Sequence, residues 1–231
     1  MIESDVQSCV DRVLLERRSI RAFLPDQIAR EDIEQILRCA ARAPSGTNTQ
    51  PWMVHVLQGE SKERLSREIL AVHDCPELRA LHTEEYPYYP DRWIPPYIDR
   101  RRKVGWDLYS LLGLTRENKP GMHAQLGRNF TFFDAPVALM FTVDRVMSHG
   151  SWLDYGMFLQ NIMIAAQARG LGTCAQAAFR PYHRLIASEL GLPGSQTLVC
   201  GMALGYADPA AIEYSLVTER DELEAFVRFH D

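Results

Sequence analysis

The sequence predicts one α+β domain over residues 1–231, and three observations predict it. Stretches whose apolar residues recur every three or four positions alternate with short, nearly continuous apolar runs, the signatures of helices and buried strands. The alternation shows no internal repeat, and no Ser/Gly-rich linker divides the chain. A chain of 231 residues, 46% of them hydrophobic, is also long enough to bury a sizeable core.

In chain order, Val6, Val10, Val13 and Leu14 lie at helical spacing and lead into Arg17, Arg18 and Arg21, a basic run at or just past a helix end. Such cations favour the negative end of the helix dipole, and the same forks could clamp a phosphate with help from the Ser19 hydroxyl. From Glu31 to Ala43, the residues Ile33, Ile36, Leu37, Ala40 and Ala41 form one helical stripe that Pro44 stops. Met53-Val54-His55-Val56-Leu57 reads as a strand buried on both faces, with His55 a satisfied ring rather than a metal ligand, since no second ligand stands at metal spacing nearby. Residues 61–73, with charges at Lys62, Glu63, Arg64, Arg67 and Glu68, read as a surface helix.

Residues 74–125 have a different texture. Tyr86-Pro87-Tyr88-Tyr89-Pro90, Trp93 and Pro95-Pro96-Tyr97 make an aromatic and proline-rich insertion, expected to be a lid or a wrap over a partner subunit. Arg100-Arg101-Arg102-Lys103 then opens a helix continued by Trp106, Leu108, Tyr109, Leu111 and Leu112.

Residues 136–143 and 197–204 are the clearest core strands. Between them, Ser151 and Asp154 resemble a capping box, and Leu153, Met157, Gln160, Ile164 and Ala168 continue a long central helix to Gly170. Gly170-Leu171-Gly172-Thr173-Cys174-Ala175 matches the loose dinucleotide pattern G-x-G-x-x-A. That fingerprint needs a strand before it, and here a helix precedes it, so the glycines read as a helix cap and a turn.

The totals narrow the function. A formal charge of −5 and a pI near 5.8 argue against general affinity for nucleic acid or anionic membrane. Cys9, Cys39, Cys75, Cys174 and Cys200 are odd in number and form no C-x-x-C pair, so neither a disulfide framework nor a metal site is expected, and a reducing cytoplasm fits. No run approaches the roughly 18 apolar residues of a membrane span, and the start lacks the basic and apolar regions of a signal peptide.

The best site candidate is Pro44-Ser45-Gly46-Thr47-Asn48-Thr49-Gln50-Pro51-Trp52. Two prolines fix its ends, Gly46 permits a positive φ, and hydroxyl and amide groups offer many donors and acceptors. Such a neutral rim suits a flat heteroaromatic ligand, although the same residues also make ordinary turns.

Taken together, the runs 17–23 (Arg-Arg-Ser-Ile-Arg-Ala-Phe) and 43–52, the strand entry Asp134-Ala135-Pro136, Ala168-Arg169-Gly170-Leu171-Gly172-Thr173 and the tail residue Arg220 resemble the flavin-dependent nitroreductases. Residues 97–133 are most similar to a subgroup related to nitrobenzoate reductases. The resemblance implies a nitroreductase-like fold, with a central mixed, mainly antiparallel sheet flanked by helices, and an intertwined homodimer with exchanged C-terminal segments and FMN at the subunit interface. It places Arg17, Arg18, Ser19 and Arg220 around the FMN phosphate and ribityl chain, Arg21 and Asn129 at the pyrimidine edge, and Pro44, Ser45, Thr47, Asn48 and Gln50 in reach of the flavin from the other subunit. The turn Ala177-Ala178 passes near the flavin N5. Two departures stand out: Thr218 replaces a second tail cation, and Ala177-Ala178 replaces a Glu-Gly pair.

The implied activity is hydride transfer from NAD(P)H through FMN to a small aromatic electron acceptor, a nitroaromatic or quinone, by a ping-pong mechanism. It requires no catalytic His, Cys or carboxylate, because the cofactor carries the chemistry. The same scaffold could also serve a dehalogenase, an enone reductase or a low-turnover flavin-binding protein.

Overall fold

The structure is a computed structural model and describes residues 2–230. Its elements run α1 (Ile2–Glu16), α2 (Arg30–Ala40), β1 (Met53–Gln58), α3 (Gly59–Asp74), the short α4 (Pro76–Arg79), α5 (Tyr97–Leu111), α6 (Lys119–Gly127), β2 (Val137–Asp144), α7 (His149–Gln167), β3 (Gly172–Gln176), α8 (His183–Leu190) and β4 (Gln196–Gly205). The four strands form an antiparallel sheet in the order β1-β2-β4-β3. A parallel bridge from Ser19 to Thr173 adds the one mixed pairing among the described residues.

The apolar runs dictate which strands are central. In β2 every residue from Val137 to Val143 is buried, and β4 is buried from Thr197 to Gly205, so both faces must be covered. On one face α2 and α7 pack Ile33, Ile36, Phe158 and Ile162 against Leu139, Phe141 and Met202. On the other, α3, α8 and the aromatic turn 128–134 pack Leu65, Ile69, Ile186, Phe130, Phe132 and Phe133 against Met140 and Ala203. Such interdigitated rings and branched chains are each worth roughly 1.5–3 kcal/mol of burial.

Four local expectations are corrected. β1 is an edge strand with only Leu57 fully buried, because β2 pairs with it on one side only. The helix expected at 31–43 closes at Ala40, where Ala41 caps it before Pro44 is reached. Ser151 and Asp154 do not make a capping box: α7 starts two residues earlier, Ser151 lies 3.5 Å from the Met147 sulfur, and Asp154 turns to another task described below. The glycine stretch is half turn and half strand. Gly170 has φ 72° after α7, as a helix end requires, but β3 begins at Gly172, where an added Cβ would lie 2.7 Å from Ile20. That close approach lets the 17–23 segment run beside β3.

Candidate functional site

The 17–23 segment leaves α1 in an extended conformation. Ile20 N–H donates to the Thr173 carbonyl at 2.9 Å, Leu24 N–H to Tyr206 at 2.9 Å, and Ala22 accepts from Asp208 N–H at 3.0 Å. Alternation then buries Ile20, Ala22 and Phe23, leaving Arg17, Arg18 and Arg21 partly open.

Arg17 and Arg18 meet Arg220 at a cavity of about 650 Å³ that is also lined by Gln160, Gly172 and Tyr214. None of the three guanidinium groups has a carboxylate partner among the described residues. The Arg18 guanidinium stacks on Tyr214, 4.1 Å from the ring centre. Burial and the neighbouring Arg220 push the Arg17 pKa down, so the cluster is short of negative charge. Arg220 is held by its own tail, donating to the Thr218 hydroxyl at 2.9 Å and to the carbonyls of Thr218 and Glu219 at 3.2 and 2.8 Å. Thr218, where a cation was expected, is thus the support of the remaining one.

A second cavity of about 370 Å³ lies along the other end of β3. It brings together Arg21, Asn129, Ala177 and Ala178, with Tyr89 and Tyr109 from the insertion. Ser19 stands between the cavities, bridging to Thr173 and accepting from Arg21 through its carbonyl at 3.4 Å.

Sequence reading missed Gln176 and Arg180 here. Gln176 is buried, and its amide nitrogen donates to the Asn129 carbonyl at 2.8 Å and lies 3.3 Å from the Asn129 side-chain oxygen. Flipping the amide would face oxygen with oxygen, so its Oε1 is left without a partner, a buried acceptor that a ligand N–H could satisfy. The alternation of Thr173, Cys174 and Ala175 would have extended the strand to Gln176; no pattern in the sequence marks Arg180.

The polar turn stands apart from both cavities. Ser45 Oγ accepts from Gln50 N–H at 3.0 Å, Thr47 Oγ1 donates to Gly46 O at 2.8 Å, and Gly46 N–H donates to Asp154 Oδ2 at 3.1 Å. Thr47, Asn48 and Gln50 have φ values of 49°, 61° and 48°, a costly left-handed cluster that the framework must impose. Asp154 is that framework, together with Trp52 stacked on Phe158 with ring centres 4.7 Å apart. The result exposes Pro44, Thr47, Asn48 and Gln50 and leaves Ser45 half-buried, all on the surface of this chain.

An arginine-lined cavity thus lies toward one end of β3 and an amide-rimmed cavity toward the other. Residues 14–206 match the Nitroreductase family, and the chain belongs to it. It is 42% identical over 219 residues to a 4-nitrobenzoate reductase of Pseudomonas putida, covering 95% of this chain and 94% of that protein. It is 39% identical over 221 residues to a nitrobenzene nitroreductase of Ectopseudomonas oleovorans, covering 95% and 96%. Among solved structures, the FMN and NADPH-dependent nitroreductase NfnB from Sphigopyxis sp. strain HMH superposes with a TM-score of 0.91 at 34% identity, covering 96% of this chain and 99% of that one.

Proposed function

We propose that this chain is an FMN-dependent oxidoreductase that takes hydride from NAD(P)H and reduces nitroaromatic or quinone-type acceptors by a ping-pong mechanism. The observation that carries the reading is the trio of guanidinium groups without a carboxylate partner among the described residues, Arg17, Arg18 and Arg220, at one cavity, with a second, polar-rimmed cavity further along β3. A phosphate dianion fits the trio, since it supplies the charge the cluster lacks. Two of the relatives named above are reductases of nitroaromatics, and the solved one is described as dependent on FMN and NADPH, which supports the reading.

Bound FMN supplies the two-electron chemistry, and this chain supplies binding, orientation and field. Arg17, Arg18, Ser19 and Arg220 would hold the phosphate and ribityl chain. Arg21 and Asn129 would serve the pyrimidine edge, where the Arg21 charge would favour a more negative ring. The Ala177-Ala178 turn would border the ring, and Gln176 Oε1 would be free to accept from a ligand N–H. Arg21→Ala is expected to lower the flavin potential by tens of millivolts, on the order of 1–2 kcal/mol of lost charge stabilisation, and to slow reduction more than it weakens FMN binding; a spectroelectrochemical titration reads it, and an unchanged potential removes Arg21 from that role.

Two features support a homodimer. Pro44, Ser45, Thr47, Asn48 and Gln50 line neither cavity of their own chain, as expected of groups that serve a neighbour's site. Helix α1 also exposes Val6, Val10, Leu14 and Leu15, the last at 84%, an apolar face that a second subunit would cover. We read the whole chain as one domain with residues 74–125 as its lid, working in the cytoplasm; no helix of the described residues is long and apolar enough to cross a membrane.

An anaerobic absorbance titration tests the activity. A flavin band bleached by NADPH or NADH and restored by a nitroaromatic is expected. A colourless protein that fails to bind added FMN would overturn the reading, and a band that neither nucleotide bleaches would favour a flavin-binding protein with little turnover.

A further inference from the structure

The residues just past Ala177-Ala178 tie the floor of the second cavity to the aromatic insertion. Arg180 is only 4% exposed, and its charge sits within a protein interior rather than at a surface. Its Nε–H donates to the Ala177 carbonyl at 2.9 Å, and its Nη1 donates to Glu84 Oε2 at 2.7 Å. Its guanidinium carbon lies 4.7 Å from the Tyr88 ring centre and 5.7 Å from that of Tyr89. One fork therefore grips the floor of the second cavity with one edge and the insertion with the other edge and its faces.

The rest of the insertion continues from that grip. Tyr88 and Tyr89 pack edge to face at 4.8 Å, Tyr89 leans on Trp93 at 5.4 Å, and Arg101 of α5 covers both Tyr89 and Trp93 at 5.3 and 4.9 Å. Beside it, Glu85 pairs with Arg145 and stands 3.5 Å from His183, and the Tyr86 hydroxyl donates to the Val199 carbonyl at 2.6 Å. Tyr89 and Arg180 both line the cavity that holds Arg21 and Ala177. A displaced Arg180 would thus move an aromatic wall and the floor of one cavity together.

We propose that Arg180 is a positioning residue for acceptor selection: with Glu84 it clasps residues 84–93 over the cavity beside Ala177, and the closed clasp sets the width available to a planar acceptor. A guanidinium is needed because only a planar fork can bond a carbonyl and a carboxylate at once while stacking on a ring. Lysine keeps the charge and loses two of those three contacts. The clasp closes on the chain's own insertion, so each subunit would select its acceptor with its own lid.

The inference rests on the oxidoreductase reading above, and its test separates the two. Arg180→Lys and Glu84→Gln are compared with the parent protein; the second keeps a hydrogen-bond acceptor opposite the buried Arg180 guanidinium while removing its counter-charge. Hydrogen exchange of residues 84–93 is measured on each FMN-loaded protein without turnover, and kcat and KM are measured with NADPH and either nitrobenzene or 1-nitronaphthalene. Both variants are expected to exchange faster across 84–93, to raise KM for nitrobenzene about ten-fold, the worth of a charge-assisted hydrogen bond, and to shift the kcat/KM ratio toward the two-ring acceptor. In Glu84→Gln, flavin bleaching by NADPH should stay within about two-fold. Unchanged exchange in both variants would overturn the clasp, and faster exchange with an unchanged acceptor ratio would overturn its role in selection. A parent protein that NADPH does not bleach fails the oxidoreductase reading instead, while the exchange data still decide the clasp.

Discussion

The central strand pair β2 and β4 and the insertion 74–125 are held by opposite means. In β2, all seven residues from Val137 to Val143 are buried, and their partners are apolar side chains from both layers. In α5, at the heart of the insertion, no residue is buried, and the insertion is fixed by directional contacts: Glu84 to Arg180, Glu85 to Arg145, Tyr86 to Val199, Arg100 to Asp221 and Lys103 to Glu219. Burial is non-directional and scales with area, so it fixes the sheet for any neighbours of the right shape. Polar pairs fix a surface segment in one place, at little gain in stability, because exposed ion pairs are each worth about 1 kcal/mol or less.

The difference is broken most severely at Phe141, which is fully buried and packs edge to face with Tyr155 and Phe158 at 6.3 and 6.4 Å. Phe141→Ala is expected to cost about 3–5 kcal/mol through lost transfer energy and the cavity left behind. Denaturant unfolding checks this, and a loss no greater than that of an insertion variant would remove the distinction between the two regions.

The same distinction explains what could be read from the chain. The strands 136–143 and 197–204 and the helix around Ile33 declare themselves by period, since burial on a face is a local pattern; the stripe from Leu153 to Ala168 marks α7 but not its buried face, which carries Tyr155, Phe158 and Ile162. β1 misled because its apolar run says nothing of its place in the sheet, and edge position depends on strands far away in sequence. Asp154 was taken for a cap because a carboxylate three residues after a serine is locally consistent with one. Its real partner, Gly46 N–H, is 108 residues away. The arginines of the anion cavity were found through a run and a family likeness, whereas Arg180 and Gln176 act through Glu84, Ala177 and Asn129, pairings that carry no periodic signal.

A smaller effect is expected where the insertion touches the sheet. β3 is half the length of β4, so the Val199 carbonyl lies beyond the last β3 partner, Gln176, and the Tyr86 hydroxyl serves it at 2.6 Å. Burial pushes the Tyr86 pKa up, which keeps the phenol a donor across the working pH range. Tyr86→Phe removes the donor and strands the carbonyl, for a cost of about 1–2 kcal/mol. The thermal midpoint should fall clearly less than in Phe141→Ala, and a comparable fall would mean that the insertion is as much core as the sheet.

The smallest effect is a pH dependence at the seam between α3 and the insertion. The His73 ring is buried and lies parallel to His123 at 4.0 Å, with His123 Nε2 2.9 Å from Asp74, the Arg79 guanidinium 3.4 Å from His123 Nδ1, and the Tyr182 hydroxyl 3.4 Å from His73 Nδ1. Desolvation first, with His123 and Arg79 adding to it, lowers the His73 pKa against the opposing hydrogen bond to the His123 carbonyl and the charge of Asp74. The folded state therefore prefers neutral His73, while the unfolded chain takes up a proton near its ordinary value of about 6.5. The unfolded state binds more protons below that value, so the stabilisation is complete above about pH 6.5 and is lost as pH falls from there toward the depressed folded value. His55 and His183, whose pKa values burial also lowers, act in the same direction. Thermal midpoints taken between pH 8 and 5 should decline below about 6.5, and His73→Gln should flatten that decline without abolishing it. If the variant declined as steeply as the parent protein, the sensitivity would belong to His55 on β1 and to His183 beside Glu85, and the His73–His123 seam would be as insensitive to acid as a purely apolar contact.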